Sequence, residues 1–461
     1  MLYICQKLGI KMQNILFKRK IESLFENWKS KPNHHPIIVK GCRQCGKTYS
    51  VRKFAEEHYK YVVYMDFFKQ PELKSIFDGS LDVDILTRNI TMAGVKNAKF
   101  VTGETCLIFD EIQDCPRART SLKFFSLDGR FDVMCTGSLL GVNGYKSQQE
   151  QEQEDKAPIP VGYEQIVNMY PMDFEEWLWA NGFTDEHIDV LREHLKNETP
   201  VEPAIHSRMR DLMQQYIVVG GMPASIRCFF ETNDMQEVAS VQHSIIADYQ
   251  SDMIKYAPLV DRPRIRECFD SIPAQLSRVY KKFTYTSIRN NARGKDYAGS
   301  LQWIEDAGII RRCYNTEITE LPLDGNAIRS EFKVYMADTG LFVSMLEEGT
   351  AWNIAQGNLY TYKGAIFENL LADIFGKMGR KLYYYHKNGG VELDFLIRYR
   401  GACVPIECKA VNGNAKSMKT VLQHPEKYHV ENALKIGDYN IGRSGAILII
   451  PHYMAFLLTD F

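Results

Sequence analysis

Gly41-Cys42-Arg43-Gln44-Cys45-Gly46-Lys47-Thr48 constrains this chain more than any other stretch, because it fills every fixed position of the phosphate-loop pattern G-x-x-x-x-G-K-[ST]. Such a loop works only between a buried strand and the start of a helix. The apolar run Pro36 to Val39 predicts the strand, and Tyr49 to His58 predicts the helix. Glycines let backbone N–H groups curl around an anion without a Cβ in the way, and the helix N-terminus adds partial positive charge. Lys47 is expected to reach the β and γ phosphates of ATP, with Gly41, Arg43 and Gly46 as further cofactor contacts. Thr48 would offer its hydroxyl to Mg²⁺.

A second apolar run, Cys106 to Phe109, ends in Asp110-Glu111. A carboxylate at the C-terminal end of a buried parallel strand lies beside such a loop, so Asp110 is read as holding the Mg²⁺ shell and Glu111 as polarising the attacking water. The adjacent Glu favours hydrolysis over phosphoryl transfer to a small molecule. A third run, Phe131 to Cys135, leads into Thr136-Gly137-Ser138. A polar residue there, Thr136 or Ser138, is placed to sense the γ phosphate if this strand lies between the other two. With Tyr61 to Met65 ending in Asp66, the alternation of strand and helix predicts a parallel sheet.

The remainder of the composition narrows the class. In 461 residues, 45% are hydrophobic and 25% charged, ordinary for globular protein and enough for about three domains. No run approaches the roughly 18 apolar residues a membrane helix needs, Leu2 to Cys5 is too short for a signal peptide, and Met12 is a candidate start. The expectation is a cytoplasmic protein with no membrane partner. Eleven scattered cysteines do not read as a disulfide framework, and free thiols suit a reducing compartment. One pair stands apart: Cys42 and Cys45 set a C-x-x-C inside the phosphate loop, where a disulfide would distort the loop and block nucleotide. Ser147 to Asp155, rich in Gln and Glu, reads as an exposed loop.

These segments resemble the AAA+-like ATPases of bacteria and archaea whose C-terminal half carries a domain of unknown function similar to a restriction-endonuclease fold. The resemblance rests on Gly41 to Thr48, Leu107 to Gln113, Thr136 to Leu139, Tyr170 to Glu176, Gly220 to Pro223 and Lys363 to Asn369. Where such proteins often continue Pro-x-Gly with Lys or Arg, Tyr163 stands here. The resemblance implies a homo-oligomer with an arginine finger from a neighbouring subunit, for which Arg119 and Arg130 are candidates.

Beyond the first unit, Asp185 to Ile254 carries helical spacing, broken at Gly220-Gly221-Met222-Pro223. A winged-helix-like pattern follows, with helices over Arg264–Ser277, Thr286–Asn290 and Lys295–Ala307, then a hairpin from Ile309. Between Tyr256 and Asn315 eleven Lys and Arg face six acids, a patch suited to a DNA backbone despite a net charge of −1 overall. Lys295, Tyr297, Ser300 and Gln302 would decorate the third helix in a major groove, the alternative being a packing module with Leu301, Trp303 and Ile304 on its buried face.

The C-terminal part alternates over Val391 to Ile397 and again over Val404 to Lys409. A period of two puts Glu407 and Lys409 on one face, with Asp394 on the partner strand. An acid followed by E-x-K is the layout of PD-(D/E)XK nucleases, in which two carboxylates bind Mg²⁺ or Mn²⁺ and the lysine orients water. Glu368, on a helix over Gly364 to Phe375, would complete the metal set with Asp394 and Glu407, leaving Asp394, Glu407 and Lys409 as the catalytic group. The opposing reading is a hairpin on which Glu407 and Lys409 offset each other's charge.

The expected architecture is therefore α/β: a P-loop NTPase parallel sheet over residues 12–184, a helical lid over 185–255, a winged-helix-like domain over 256–345 and a restriction-endonuclease-like α/β domain over 350–461. The expected activity is Mg-ATP hydrolysis coupled to a DNA-directed, nuclease-like domain. Its rival is a nucleotide-gated DNA- or protein-binding module with an inactive nuclease fold.

Overall fold

The computed structural model describes residues 17–138, 160–257, 261–278, 280–347, 349–355, 362–387, 390–409 and 416–459. Leu139 and the tract Ser147 to Asp155 lie outside them.

The buried apolar runs of the N-terminal half form β1 (Ile37–Gly41), β2 (Tyr61–Asp66), β3 (Thr105–Asp110), β4 (Asp132–Ser138) and β5 (Gln165–Met169). They pair in parallel in the order β2-β3-β4-β1-β5. Parallel strands are covered on both faces, which is why β3 is buried at every position. One face packs Val63, Leu107 and Phe109 on the helices Val83–Met92 and Pro116–Asp128, and the other packs Val39, Ile108 and Met134 on Lys20–Ser30 and Lys47–His58. β4 lies between β1 and β3, as the sensor reading requires.

Four long helices follow, Asp185–Asn197, Pro203–Val219, Pro223–Thr232 and Met235–Tyr256. The Gly220–Pro223 break is a corner between the second and third, and it is tied to distant chain. Met172 N–H donates to Gly221 O at 2.7 Å, and Gly221 N–H donates to Asp338 Oδ2 at 2.7 Å. Buried Lys377 closes the knot through Asp373 at 2.8 Å, Asp338 at 3.2 Å, Tyr216 OH at 3.0 Å and Met172 O at 3.2 Å. Segments around 172, 221, 338 and 377 thus meet at one point, and a charge buried there is tolerated because it is paired and hydrogen-bonded.

The winged-helix-like region holds two of its three expected helices, Arg262–Leu276 and Gly294–Asp306. Thr286–Asn290 does not form the second; a single 3₁₀ turn over Tyr285–Ser287 stands there. The hairpin of β6 (Ile310–Thr316) and β7 (Ala327–Met336) forms as expected, but it is not a separate wing. β6 also pairs in parallel with β8 (Leu382–Lys387), which joins the hairpin to β9 (Val391–Tyr399), β10 (Ala402–Lys409), β11 (Ala433–Gly437), β12 (Gly442–Ser444) and β13 (Ile447–Pro451). The result is one eight-stranded mixed sheet, ordered β12-β13-β11-β10-β9-β8-β6-β7. Its central covering helix, Lys363–Lys377, is buried from Ala365 to Lys377. A single apolar core runs from Trp177 and Tyr216 through Trp303 to Phe395 and Tyr453, so the helical segment and the C-terminal sheet share one interior.

Candidate nucleotide site and the C-terminal carboxylate cluster

The phosphate loop leaves β1 and enters the Lys47–His58 helix as its pattern demands. Gly41 passes so close to β5 that a Cβ would lie 2.3 Å from Met169 O. Gly46 caps the helix at φ +101°, a conformation open to glycine but strained for other residues. Lys47 Nζ donates to the carbonyls of Gly41 at 3.1 Å and Cys42 at 2.9 Å, folded back along the loop. Thr48 Oγ1 donates to Asp110 Oδ1 at 2.9 Å, joining the loop to the end of β3. Hydroxyl and carboxylate together form the hard oxygen pair that suits Mg²⁺, so these two residues fit the metal of a nucleotide site.

Around Asp110 the two sensor candidates separate. Thr136 is fully buried and donates to Asp110 Oδ1, whereas Ser138 lines the cleft beside Lys47 and Glu111. Tyr64 OH donates to Asp110 Oδ2 at 2.5 Å, completing the polar setting of that carboxylate. Glu111 has φ +54°, left-handed for a non-glycine residue, and Gln113 Nε2 donates to its Oε2 at 2.6 Å. Such conformations persist where the surroundings impose them, and they cluster at active sites.

The cleft is closed by chain that the loop pattern gives no hint of. Tyr249 and Asp252 of the Met235–Tyr256 helix line it, as do Trp303, Ala307 and Ile309. Arg43 pairs with Asp252, Gln44 Nε2 donates to Asp248 Oδ2 at 2.6 Å, and Tyr249 OH donates to Arg43 O at 3.2 Å. Arg19, 5% exposed, was also not anticipated. It donates to Cys45 O at 2.9 Å and Tyr170 O at 2.7 Å and pairs with Glu176 at 3.0 Å, bracing the loop against the Tyr170–Glu176 segment. A basic Lys18-Arg19-Lys20 run leading into an amphipathic helix carries no signal for that role. Both finger candidates are held by their own chain: Arg119 on Glu164 at 2.6 Å, Arg130 on Asp128 and Asp84.

Residues 33–178 match the model of an AAA domain. The site is that of an AAA-type, ATP-binding ATPase domain. Residues 210–351 and 363–453 match two models described as domains of unknown function, DUF8612 and DUF4143. No curated protein matches the chain. Among solved structures, a Walker-type ATPase of Pyrococcus abyssi is similar at 14% identity over 72% of this chain and 96% of its own, with a TM-score of 0.42. AMPPCP-bound DnaA of Aquifex aeolicus is similar at 10% identity over 62% of this chain and 87% of its own, with a TM-score of 0.26.

In the C-terminal sheet, β9 and β10 pair antiparallel as expected, with Ile406 opposite Phe395. Asp394 Oδ2 accepts from Cys408 N–H at 2.8 Å, and Lys409 pairs with Glu407 at 2.5 Å. Two lysines the sequence did not single out then enter. Lys281 and buried Lys333 (at 3.7 Å) both reach Glu368, whose Oε2 also accepts from Tyr335 OH at 3.0 Å. Lys333 additionally pairs with Glu392 at 3.1 Å. Burial raises the Asp394 carboxyl to about 8, helped by the nearby charges of Glu368 and Glu407. Burial also pushes Glu368 upward, but Lys333 and Lys281 outweigh it and the net direction is down. Among the described residues no group of three or more His, Cys, Asp and Glu is placed to hold a metal ion. Glu368, Asp394 and Glu407 are neighbours, as their mutual electrostatics require, yet as arranged they do not fit the expected metal set.

The face expected to read DNA also differs. Tyr297 is buried with its OH on Glu267 at 2.5 Å, Ser300 is buried, and Gln302 is tied to Asp306 and Arg312. Apolar spacing at Leu301, Trp303 and Ile304 had marked only part of a broader packed face. Lys295, Arg289 and Arg293 remain exposed, and among the described residues none of the three forms an ion pair.

Proposed function

We propose that this chain hydrolyses Mg-ATP at the 41–48 loop and that the nucleotide state gates a nuclease-like C-terminal unit that binds, rather than cuts, its target. The hydrolytic half is carried by one observation: Thr48 and Asp110 share a hydrogen bond at the mouth of the loop, with Glu111 on the next residue. Mg²⁺, when bound, would supply positive charge against that developing on the phosphates. Thr48 and Asp110 would hold that ion, Lys47 would leave the loop carbonyls for the phosphates, and Thr136 keeps Asp110 oriented. Glu111 is the candidate base for the attacking water, with Gln113 fixing its carboxylate and Ser138 facing the same cleft.

Gating is supported by the contacts of Asp248 and Asp252 with the loop, since phosphates and these carboxylates compete for Arg43 and Gln44. The preference for binding over cutting is supported by the lysine contacts on Glu368, which neutralise it without an ion. DNA is the favoured target because Arg289, Arg293 and Lys295 are exposed together. The rival reading, a metal-dependent nuclease, rests on the retained Asp394, Glu407 and Lys409. Assaying Mn²⁺- and Mg²⁺-dependent cutting of single- and double-stranded DNA, with and without ATP, separates them. Cutting lost in both Asp394→Ala and Lys409→Ala would establish the rival; no cutting beyond that of the variants supports the proposal. A neighbouring copy supplying an arginine is a further part of the reading, checked by whether ATPase rate per chain rises with protein concentration.

A further inference from the structure

Cys42 and Cys45 occupy the first and last of the four variable positions of the phosphate loop, and the curl of the loop brings their thiols together beneath it. Cys45 is fully buried with its thiol donating to Met169 O at 3.6 Å, Cys42 is 4% exposed, and the two thiols lie within interacting reach of each other. Their backbone carbonyls carry the site: Lys47 Nζ sits on Cys42 O at 2.9 Å and Arg19 Nη1 on Cys45 O at 2.9 Å. Moving either sulfur therefore moves an anchor of the catalytic lysine or of the loop's brace. We propose that Cys42 and Cys45 form a reversible disulfide within the phosphate loop, an oxidative off-switch for nucleotide binding; this rests on the reading of the loop as an ATP site.

The chemistry needs a two-electron oxidant, hydrogen peroxide being the simplest. The Cys45 thiolate attacks one peroxide oxygen, the O–O bond breaks, and hydroxide leaves, giving a sulfenic acid. The Cys42 sulfur then attacks the Cys45 sulfur, the S–O bond breaks and water leaves. Two thiols and one peroxide become one disulfide and two waters, and a dithiol reverses the oxidation by exchange. Local charge favours Cys45 as the attacking sulfur: interaction with the Cys42 thiol and the cations of Lys47 and Arg19 hold its thiol below the usual range, against the effect of burial. Closing the bond draws the sulfurs to about 2 Å and fixes the Cβ–S–S–Cβ dihedral, a geometry the open cradle does not have. So short a ring gains little from loop closure, which suits a switch better than a staple.

The test treats the full chain with peroxide, quenches, denatures, alkylates free thiols and maps the loop peptide by mass spectrometry. ATP binding is measured on the same samples. Expected is a loop peptide lacking two hydrogens and unalkylated at both cysteines, with ATP affinity down about tenfold or more and restored by dithiothreitol. Cys45→Ser, and separately Cys42→Ala, should keep their affinity through the treatment. Loop cysteines that stay alkylatable overturn the proposal, as does an oxidised loop that binds ATP normally or an equal loss in the variant that folds. Failure of the fully reduced protein to bind ATP sinks instead the reading of the site on which the switch depends.

Discussion

Arg43, at the tip of the phosphate loop, forms an ion pair with Asp252 on the Met235–Tyr256 helix. One turn earlier, Asp248 accepts from Gln44. Two carboxylates thus stand over a loop shaped for an anion, so phosphate binding and this helix contact oppose each other. The same helix packs into the core that continues to the C-terminal sheet.

Asp252→Ala should therefore tighten ATP binding. The pair is partly exposed, so the effect is modest, about 0.5 to 1 kcal/mol or roughly two- to fivefold in Kd by isothermal titration. Weaker binding would mean that Asp252 supports the nucleotide rather than competing with it.

Glu111→Gln should bind ATP with near-normal affinity and lose turnover by about 10²-fold or more, the contribution expected of a positioned base. Lys47→Ala should lose binding itself. Normal turnover in Glu111→Gln would reassign the water to another group, with Ser138 an alternative lining the same cleft.

Much of the ATPase domain was legible in the sequence because its elements are local. Ile37 to Val39, Cys106 to Phe109 and Val133 to Cys135 are continuous apolar runs leading into functional residues, and parallel strands buried on both faces leave that pattern. What closes the site was not legible. Arg19, Asp252 and Trp303 reach the loop through tertiary packing across up to 260 or so residues, and no spacing rule links them. In the C-terminal sheet the Glu407-x-Lys409 alternation gave the hairpin correctly. Lys333 could not be foreseen as Glu368's partner, because β7 joins that sheet only through β6 and β8. Tyr297 and Ser300 misled because a helix in contact on two sides buries polar positions as well as its apolar stripe.

Lys333→Met tests the lysine-neutralised cluster. It leaves buried Glu368 short of a partner, and removal of one member of a buried pair costs about 3 to 5 kcal/mol, read as reduced resistance to urea. Lys282→Met, which breaks the exposed pair with Glu331, should shift stability by less than about 1 kcal/mol. Equal small effects would remove the buried network from the account.

His452 supplies a pH test. Burial lowers its pKa from 6.5 to about 3, and its ring stacks on Phe367 at 4.1 Å. Below about pH 6.5 the unfolded chain takes a proton that the folded chain refuses, so stability falls as pH drops from 6.5 toward 3. His452→Phe should lose less thermal stability than the parent over that window. Parallel melting curves would show that His452 titrates freely in the fold.

The central claim, that the loop's nucleotide state controls the C-terminal unit, is tested most directly by DNA affinity. Binding of a labelled duplex is measured at fixed salt with Mg²⁺, with and without ATP, in Glu111→Gln and in Lys47→Ala. A shift of about tenfold or more with ATP in Glu111→Gln, absent in Lys47→Ala, is the predicted result. Identical affinities in all four samples would contradict it.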